Sequence, residues 1–487
     1  MKIINPKVNI WKLLRYFFRI LDGLLGRLNE IEILSSCRLR GCQLRVSLLG
    51  NPNCLRSGVF HKQLDAYLQL SPCLIIKFRY EANSFQTYKR IEHYQGLLLK
   101  EQTRLGASQS GPRIISSETF VSNSNTHAYL DAYIKSRILE ESNAEELYVC
   151  LTDSERKKVK NEAMFGCWLN LIKLISVKEA RSLFGSDYSA YVDDITWTIY
   201  LNGKMTYIEH AKPIVQKKWE EQRMSPLLTL SPDLIENGRD ELEKLGLPRS
   251  AWFVTLHVRD SGAKTGSWEN HDPYDGHRNA DIDSYLPAID AITSAGGFVL
   301  RVGDPSMKPL PVINKVIDYA HSTSRSSSLD VFLFTQCKFF IGTASGPILM
   351  PIIFGVPTIA TNFAPIYARL HASNTITINK KYFLNTKRQY LSLEEALSGE
   401  VSDEFDNTKF QKVGVDLIDN SPQEILGAVL EMCAVLEGSI AYSSLEEELN
   451  YAANSLYDIY SGYGNLGRIG KTYLMNLYEM KLLKVKS

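Results

Sequence analysis

Polar residues stand directly after three short apolar runs of this sequence. His257 and Arg259 end the run 252–258 (WFVTLHV), Gly303-Asp304 follows the run 298–302 (FVLRV), and the small residues Thr343–Gly346 follow the run 339–341. An arginine fixed at such a place can present its planar fork of N–H groups to a phosphate. Backbone amides that small residues leave accessible at the start of a helix are a second kind of anion ligand. The residue types therefore predict a site for a phosphorylated ligand.

Each of these residues also has a purely structural interpretation. Arg259 could pair with Asp260 or Asp304 as an ion pair within the fold, and His257 could be a hydrogen-bonded core histidine. The turn at 343–346 could be an ordinary strand–helix connection that its serine caps. From the residues alone, both interpretations stay open.

Neither a cofactor motif nor a metal motif accompanies these residues. The turn at 342–346 is not the G-x-G-x-x-G fingerprint of nicotinamide enzymes, and the chain has no GxxxxGK[ST] loop. Asp281-Ile282-Asp283 has the spelling of a metal-binding Asp-x-Asp motif, but it precedes a helix and is predicted to cap that helix. We therefore expect no bound metal and no cofactor.

A long polar loop, Asp260–His277, leaves the strand end at Arg259 and contains the candidates for an acid–base group. Glu269 and Asp272 are the first two, and His271 is the third. A general base must come within about 3 Å of the hydroxyl that it deprotonates, and the glycines of this loop would let it approach a substrate. The alternative is a surface loop whose acids only face solvent.

The elements that would position these residues alternate between strand and helix. Apolar β-branched runs and helical segments follow one another from about residue 250 to 360, with Gly and Pro between them. This alternation predicts βαβ units and a parallel, doubly wound sheet. Ligands of such sheets bind beyond the carboxyl ends of the strands, which is where His257, Arg259 and Thr343 stand.

The first half of the chain gives weaker patterns. Residues Asn9–Leu28 have the spacing of an amphipathic helix with a basic face, which either lies on an anionic membrane surface or packs on its own domain. Short apolar runs at 44–49 and 73–78 predict strands. The Ser- and Asn-rich segment 108–125 predicts a loop, and helical periodicity covers 128–139 and 157–175.

Composition excludes several broad classes. The 487 residues carry 55 Lys+Arg against 54 Asp+Glu, so overall charge favours neither nucleic acid nor an anionic membrane. No apolar run is long enough for an obvious membrane span. The 8 cysteines are scattered without a CxxC pair, as in a cytosolic protein with reduced thiols.

Six blocks in the second half resemble a family of bacterial glycosyltransferases associated with surface-polysaccharide assembly. These are FVTLHVRD (253–260), HRNADIDSYLPAI (277–289), FVLRVGDPS (298–306), IDYAHS (317–322), DVFL (330–333) and FFIGTASGPILMPIIFGVP (339–357). The blocks are also distantly similar to fucosyltransferases that use GDP-fucose, and the run 342–357 to heptosyltransferases of lipopolysaccharide synthesis. The resemblance is specific from about 245 to 365 and faint before 225.

The resemblance implies a GT-B architecture, in which two Rossmann-like domains face each other across a cleft and the nucleotide sugar binds the C-terminal one. Carried over by position, Arg259 would hold the donor diphosphate. The remaining donor-binding positions would be His257, Asp304, Asp330, Thr343, Ser345 and Gly346. The fucosyltransferases show His-x-Arg-Arg where this chain has Asp260 after Arg259, which puts fucose in doubt as the donor sugar. Arg278 could supply a second cation.

These observations together predict an α/β, GT-B-like, metal-independent glycosyltransferase that moves a sugar from a nucleotide diphosphate sugar to a glycan or lipid-linked acceptor. We expect it in the cytoplasm, with peripheral membrane contact if the N-terminal helix binds lipid. The predicted parts are that helix (1–35), an acceptor domain (36–235), a nucleotide-sugar domain (236–440) and a helical tail (441–487). The alternatives are a sugar-nucleotide epimerase of the same architecture and an inactive relative that binds carbohydrate or a partner.

Overall fold

The computed structural model describes residues 111–484, except for 122–124, 141–145, 160, 186–187, 194, 196–197, 203, 271, 273, 403, 405 and 462–465. The chain divides into two compact units. One comprises Met1–Gln109 and Ser176–Val192, and the other comprises Ser110–Ile175 and Asp193–Ser487. The predicted N-terminal helix and the predicted strands at 44–49 and 73–78 lie outside the described residues.

Sixteen strands are described. Their bounds are β1 Arg113–Ile115, β2 Leu147–Cys150, β3 Lys173–Ile175, β4 Val192–Asp193, β5 Thr198–Leu201, β6 Lys204–Tyr207, β7 Phe253–His257, β8 Phe298–Arg301, β9 Val316–Ile317, β10 Phe340–Gly342, β11 Thr358–Phe363, β12 Thr375–Asn379, β13 Lys381–Leu384, β14 Gln389–Tyr390, β15 Val415–Ile418 and β16 Arg468–Ile469.

The α-helices of the described residues, numbered separately, connect these strands. Their bounds are α1 Glu118–Val121, α2 Asn125–Leu139, α3 Asp153–Arg156, α4 Glu162–Trp168, α5 Val177–Phe184, α6 Ile208–Glu221, α7 Pro232–Lys244, α8 Gly262–Thr265, α9 Leu286–Ser294, α10 Ser327–Gln336, α11 Leu349–Ile353, α12 Leu393–Ser398, α13 Asn407–Lys412, α14 Pro422–Leu436, α15 Ser444–Ser461 and α16 Lys471–Glu479.

The larger unit contains a seven-stranded sheet in the order β16-β12-β11-β10-β7-β8-β9. Its pairs are parallel, and Gly342 of β10 is in register with His257 of β7. From β7 the chain first adds strands on one side (β8, β9) and then on the other (β10, β11, β12). The strand order therefore reverses between β7 and β10, which is the place where open α/β sheets bind their ligands.

Alternate residues of the seven-stranded sheet enter two cores. Phe253, Leu300 and Phe340 belong to the core that also contains α2, α4 and α10, while Leu256 and Ile341 belong to the core that contains α9, α14 and α15. Both faces are thus apolar, as a parallel sheet covered by helices requires. His257 and Arg301 are the last residues of β7 and β8, so their polar side chains stand at the carboxyl ends of these strands.

A second sheet has the order β3-β2-β1-β4, and its first three strands, which belong to the larger unit, are parallel. The smaller unit contains α5, and Ser176 and Glu179 form a reciprocal capping box at the start of this helix. Within that unit the rings of Phe184 and Tyr191 lie 4.8 Å apart.

Two predictions for the first half were wrong. Segment 108–125 was expected to be a loop, but it contains β1 and α1, because Arg113 is buried in an ion pair with Asp193 and Ile114 and Ile115 enter the core. The continuous helix expected over 157–175 is α4 followed by β3, since Lys173–Ile175 pairs in parallel with β2. Thr152 and Glu155 have the three-residue spacing of a capping box and form one at the start of α3.

The mixed α/β class with parallel sheets is confirmed, and so is the strand–helix alternation between 253 and 363. The two-domain cleft, the helical tail and the four predicted domain ranges stay predictions. Segment 441–487 contains α15 and α16, and between them β16 adds an edge strand to the seven-stranded sheet. None of the described helices is long and apolar enough to cross a membrane.

Candidate functional site

The two strand ends at the reversal of strand order are joined by hydrogen bonds. The backbone amide of Arg259 donates to the Thr343 hydroxyl oxygen at 3.0 Å, and the amide of Thr343 donates to the His257 carbonyl at 3.2 Å. The hydroxyl oxygen of Thr343 is used here as an acceptor, so its hydrogen remains a donor. The predicted neighbourhood of Arg259 and the turn at 343–346 is therefore present.

The Arg259 side chain is buried and turned toward the loop that follows β7. Its Nη2 donates to Asp272 Oδ2 at 3.0 Å, and its Nη1 donates to the Asp275 carbonyl at 3.0 Å and to the Asn279 side-chain oxygen. Burial and the nearby Arg278 lower the pKa of Arg259. The ion pair considered as the structural alternative is thus present, although its partner is Asp272 and neither Asp260 nor Asp304.

Asp272 is engaged through both carboxylate oxygens. Oδ1 accepts from the amides of Tyr274 at 3.1 Å and Asp275 at 3.0 Å, while Oδ2 accepts from Arg259. Burial would raise the pKa of this carboxyl, but the Asp275 amide, Arg259 and the Tyr274 amide together hold it below its ordinary value. In this arrangement Asp272 anchors the loop, and three of its about four acceptor positions are occupied.

Two further cations lie beside Asp275. Arg278 Nη2 lies 2.6 Å from Asp275 Oδ1, and Lys264 Nζ lies 3.5 Å from Asp275 Oδ2. Arg259 Nη2 is 3.6 Å from that same Oδ2. We call this group of three cations and two carboxylates (Arg259, Lys264, Arg278, Asp272, Asp275) the cationic cluster.

Asp260, which occupies the place of the second arginine of the fucosyltransferase pattern, holds two turns together. Its Oδ1 accepts from the Gly262 amide and its Oδ2 accepts from the Lys308 amide, each at 2.8 Å. A Cβ at Gly262 would lie 2.4 Å from the Ser306 carbonyl oxygen. The loop after β7 and the turn after β8 therefore need both Asp260 and a glycine at 262.

Asp304 and Asp330 lie near the end of β8 and at the start of α10. Asp304 accepts from the amide and the hydroxyl of Ser306, and the hydroxyl lowers the pKa of Asp304. Burial raises the pKa of Asp330, and the nearby Tyr319 hydroxyl acts in the opposite direction. Arg325 acts electrostatically on both carboxylates. Among the described contacts, none joins Asp304 or Asp330 directly to Arg259.

Two buried histidines flank Arg259. His257 is 4% exposed, and burial, reinforced by Arg301 and Arg259, lowers its pKa to about 4. His277 packs on the Phe410 ring, and burial lowers its pKa to about 4 as well. Within the described part of the chain, three of their ring nitrogens have no hydrogen-bond partner: Nδ1 of His257 and both nitrogens of His277. Both imidazoles are therefore neutral at pH 7.

The Asp-x-Asp spelling at 281–283 is a helix cap, as predicted. Asp281 accepts from the Asp283 amide at 3.1 Å and stands at the N-cap of the 3₁₀ turn Ile282–Tyr285. Lys308 Nζ lies 3.0 Å from Asp281 Oδ1 and 2.6 Å from Asp283 Oδ2. An ammonium group thus joins the two carboxylates. Across the described residues, no group of three or more His, Cys, Asp or Glu is arranged to hold a metal ion.

The turn at 343–346 leads into a short 3₁₀ segment, Gly346–Ile348, before α11. Ser345 stands at the N-cap in an extended conformation, and its side chain makes no capping hydrogen bond. Thr343 is fully buried, whereas Ser345 and Gly346 are partly exposed. Ser345 therefore keeps its hydroxyl for another partner, and the turn has only a short helix behind it.

The structure brings Arg259, Thr343 and His257 together and adds Asp272 to them. Glu269 is exposed, and no described donor contacts its carboxylate. His271 lies outside the described residues. Sequence reasoning gave no role to Asp275, Asn279 and Lys264. The alternation of acids and bases along 264–278 was the only signal for their contacts, and it specifies no geometry.

Comparison with known proteins gives remote structural similarity alone. No family model matches the chain, and no curated protein matches it. A glycosyl transferase family 9 protein of Veillonella parvula has 11% identity, with 68% of this chain and 99% of that chain covered at a TM-score of 0.38. The Escherichia coli ADP-heptose heptosyltransferase II has 11% identity and a TM-score of 0.36, with 67% of this chain and 98% of that chain covered. E. coli heptosyltransferase WaaC has 9% identity and a TM-score of 0.30, with 62% of this chain and 98% of that chain covered. Scores this low transfer no activity to this chain.

Proposed function

We propose that this protein is a glycosyltransferase that binds the diphosphate of a nucleotide sugar at the strand-order reversal between β7 and β10. One observation carries the proposal. Arg259 and the turn at 343–346 meet there, with the Arg259 amide 3.0 Å from the Thr343 hydroxyl oxygen, and two further cations stand beside Arg259. A parallel α/β sheet places its ligand at this position, and cations with amides are the groups that bind phosphates.

The leaving diphosphate of a glycosyl transfer gains charge as its bond to the sugar breaks. Fixed donors that face this charge stabilise the transition state. Arg259, Lys264 and Arg278 would supply the cations, and the amides and hydroxyls of the turn at 343–346 would supply hydrogen bonds. Because Lys308 already bridges Asp281 and Asp283, the proposal needs no metal at these carboxylates.

The acceptor hydroxyl requires a base on the side opposite the diphosphate. Glu269 is the first candidate, because its carboxylate is exposed and free of described donors. Asp272 is a weaker candidate, because Arg259 and two backbone amides bind its carboxylate and hold its pKa below the ordinary value. His271 remains a third candidate. The acceptor that we propose is a glycan or a lipid-linked glycan, in line with the sequence resemblance to polysaccharide glycosyltransferases, and the reaction would take place in the cytoplasm.

Thermal unfolding in the presence of GDP, UDP, CMP and ADP tests the donor site. A ligand at about 100 times its dissociation constant stabilises the folded state by about 2.7 kcal/mol, which is readily measured. We expect one nucleoside diphosphate to raise the Tm and the corresponding nucleotide sugar to be consumed in the presence of an acceptor glycan. If the nucleotide sugar is isomerised without any acceptor, the protein is a sugar-nucleotide epimerase and not a transferase. No stabilisation by any nucleotide would contradict the proposal.

A further inference from the structure

The Nη1 atom of Arg259 has no N–H group left for a phosphate, and two carboxylates lie beside Nη2. Nη1 donates to the Asp275 carbonyl and to the Asn279 side chain, and Nη2 donates to Asp272. A guanidinium has five N–H groups in a fixed fork, and a bidentate phosphate needs two that point the same way. With Nη1 filled, a bidentate phosphate must use Nε and Nη2, where it competes with the carboxylates of Asp272 and Asp275.

Asp272 is the partner whose replacement by a phosphate conserves charge. Its carboxylate is an anion 3.0 Å from Arg259 Nη2, whereas the two groups on Nη1 are neutral oxygens. Asp275 is the second anion, 3.6 Å from Arg259 and within 3.5 Å of both Arg278 and Lys264. Three cations thus share two carboxylates that stand three positions apart in the chain.

We propose that the carboxylates of Asp272 and Asp275 occupy the places of the two donor phosphates at Arg259, so that a nucleoside diphosphate binds by displacing them. This inference rests on the proposed donor site and adds that the site holds its own anionic competitor. Two carboxylates and a diphosphate both present two anionic groups, and each satisfies the same three cations. The affinity for the donor is accordingly set by Asp272 and Asp275 as well as by the cations.

Displacement has a consequence within the loop itself. Asp272 Oδ1 accepts hydrogen bonds from the backbone amides of Tyr274 and Asp275, at 3.1 and 3.0 Å. If a diphosphate removes Asp272 from Arg259, these amides lose their acceptor. Binding of the ligand would then expose two amides in the loop while it orders the turn at 343–346, which is the reverse of what a simple closing of the site would do.

Calorimetric titration of three proteins tests the inference: the parent, Asp272→Asn and the control Asp283→Asn. The probes are ADP, GDP, UDP and inorganic pyrophosphate. Asn keeps the shape and the amide contacts of Asp272 but removes its charge, so we expect Asp272→Asn to bind the best nucleoside diphosphate and pyrophosphate about tenfold more tightly, or about 1.4 kcal/mol. Asp283→Asn removes a carboxylate from a different cation, Lys308, and should leave both affinities unchanged.

Hydrogen exchange of the parent protein gives an independent readout should Asp272→Asn fail to fold. Saturating nucleotide should accelerate exchange at Tyr274 and Asp275. Equal affinities of parent and Asp272→Asn, together with unchanged exchange at these amides, would overturn the inference and leave the donor site standing. If neither nucleotides nor pyrophosphate bind any of the proteins, the donor site and the inference fail together.

Discussion

Arg259 and Asp272 form a buried ion pair, with 3.0 Å between Nη2 and Oδ2 and side chains that are 7% and 6% exposed. The pair connects the end of β7 to the middle of the loop that follows it. Asn279 and the Asp275 carbonyl bind the same guanidinium, so one arginine fixes the loop at three points. A residue expected from the sequence to bind a ligand therefore also holds the fold around the site.

Replacement of Arg259 by Ala should lower stability as well as donor affinity. It leaves the Asp272 carboxylate buried without its cation, and removal of one member of a buried pair typically costs about 3–5 kcal/mol. Urea unfolding of the variant measures this loss. From the sequence alone we would expect the fold to be unaffected.

The double variant Arg259→Ala/Asp272→Ala separates the two effects. It should recover much of the stability, since no buried carboxylate is left unpaired, while donor binding stays absent. An Arg259→Ala protein as stable as the parent would show that the ion pair contributes little.

Gly262→Ala should destabilise the protein, because the added Cβ would meet the Ser306 backbone oxygen at 2.4 Å and a backbone atom cannot move aside cheaply. Overpacking of this kind costs about 1–3 kcal/mol. Gly166→Ala is the matched control: it lies within α4 with open space around the new Cβ, and should stabilise by up to about 1 kcal/mol. Chemical unfolding of both variants gives the comparison. If Gly262→Ala leaves the free energy of unfolding unchanged, the loop after β7 and the turn after β8 are not packed tightly against each other.

Stability should fall as the pH drops from 6.5 toward 4, in part because of His277. Burial lowers its pKa from 6.5 to about 4 in the folded state. The unfolded chain therefore takes up a proton over this range that the folded chain does not, and the stability present above pH 6.5 is progressively lost. The loss from one such histidine approaches about 1.4 kcal/mol per pH unit.

His277→Gln isolates this contribution from those of the other buried histidines. The dependence of its unfolding free energy on pH between 6 and 4.5 should be shallower than that of the parent by about the slope of one group, roughly 1.4 kcal/mol per pH unit. Identical slopes would show that His277 is not held neutral in the folded state.

Removal of the segment after residue 440 should abolish folding. This segment supplies the edge strand β16 and the helices α15 and α16. Its buried side chains belong to the core on one face of the seven-stranded sheet: Leu449, Ala453, Tyr457, Ile469, Tyr473, Leu474 and Leu477. Each large apolar side chain contributes about 1.5–3 kcal/mol on burial, so their combined loss exceeds the net stability of an ordinary domain. Recovery of soluble, folded protein from the truncated chain would contradict this role.

The strand ends could be predicted from the sequence, and the partners of Arg259 could not. The apolar runs before Arg259 and Thr343 have the length and the β-branched residues of buried strands, and the parallel arrangement follows from the helices between them. Asp272 lies 13 residues beyond Arg259 in a loop, where no periodicity limits the path of the chain. Its contact with Arg259 depends on turns, which local sequence does not specify.

The wrong predictions for the first half have a related cause. β1 is only three residues long and sits among Ser, Asn and Gly, so local composition favoured a loop. β3 continues the apolar spacing of the helix before it, and only its pairing with β2 makes it a strand. In both segments tertiary contacts override the local pattern.

Hydrogen exchange across the strand-order reversal, measured with and without the nucleoside diphosphate that raises the Tm, is the sharpest test of the proposed donor site. We predict slower exchange at the amides of Ala344–Gly346 when the nucleotide is bound, because these amides line the proposed diphosphate site, whereas the amides of Arg259 and Thr343 already have acceptors within the fold. A nucleotide that binds without protecting the amides of Ala344–Gly346 would place the donor elsewhere and contradict the proposed donor site.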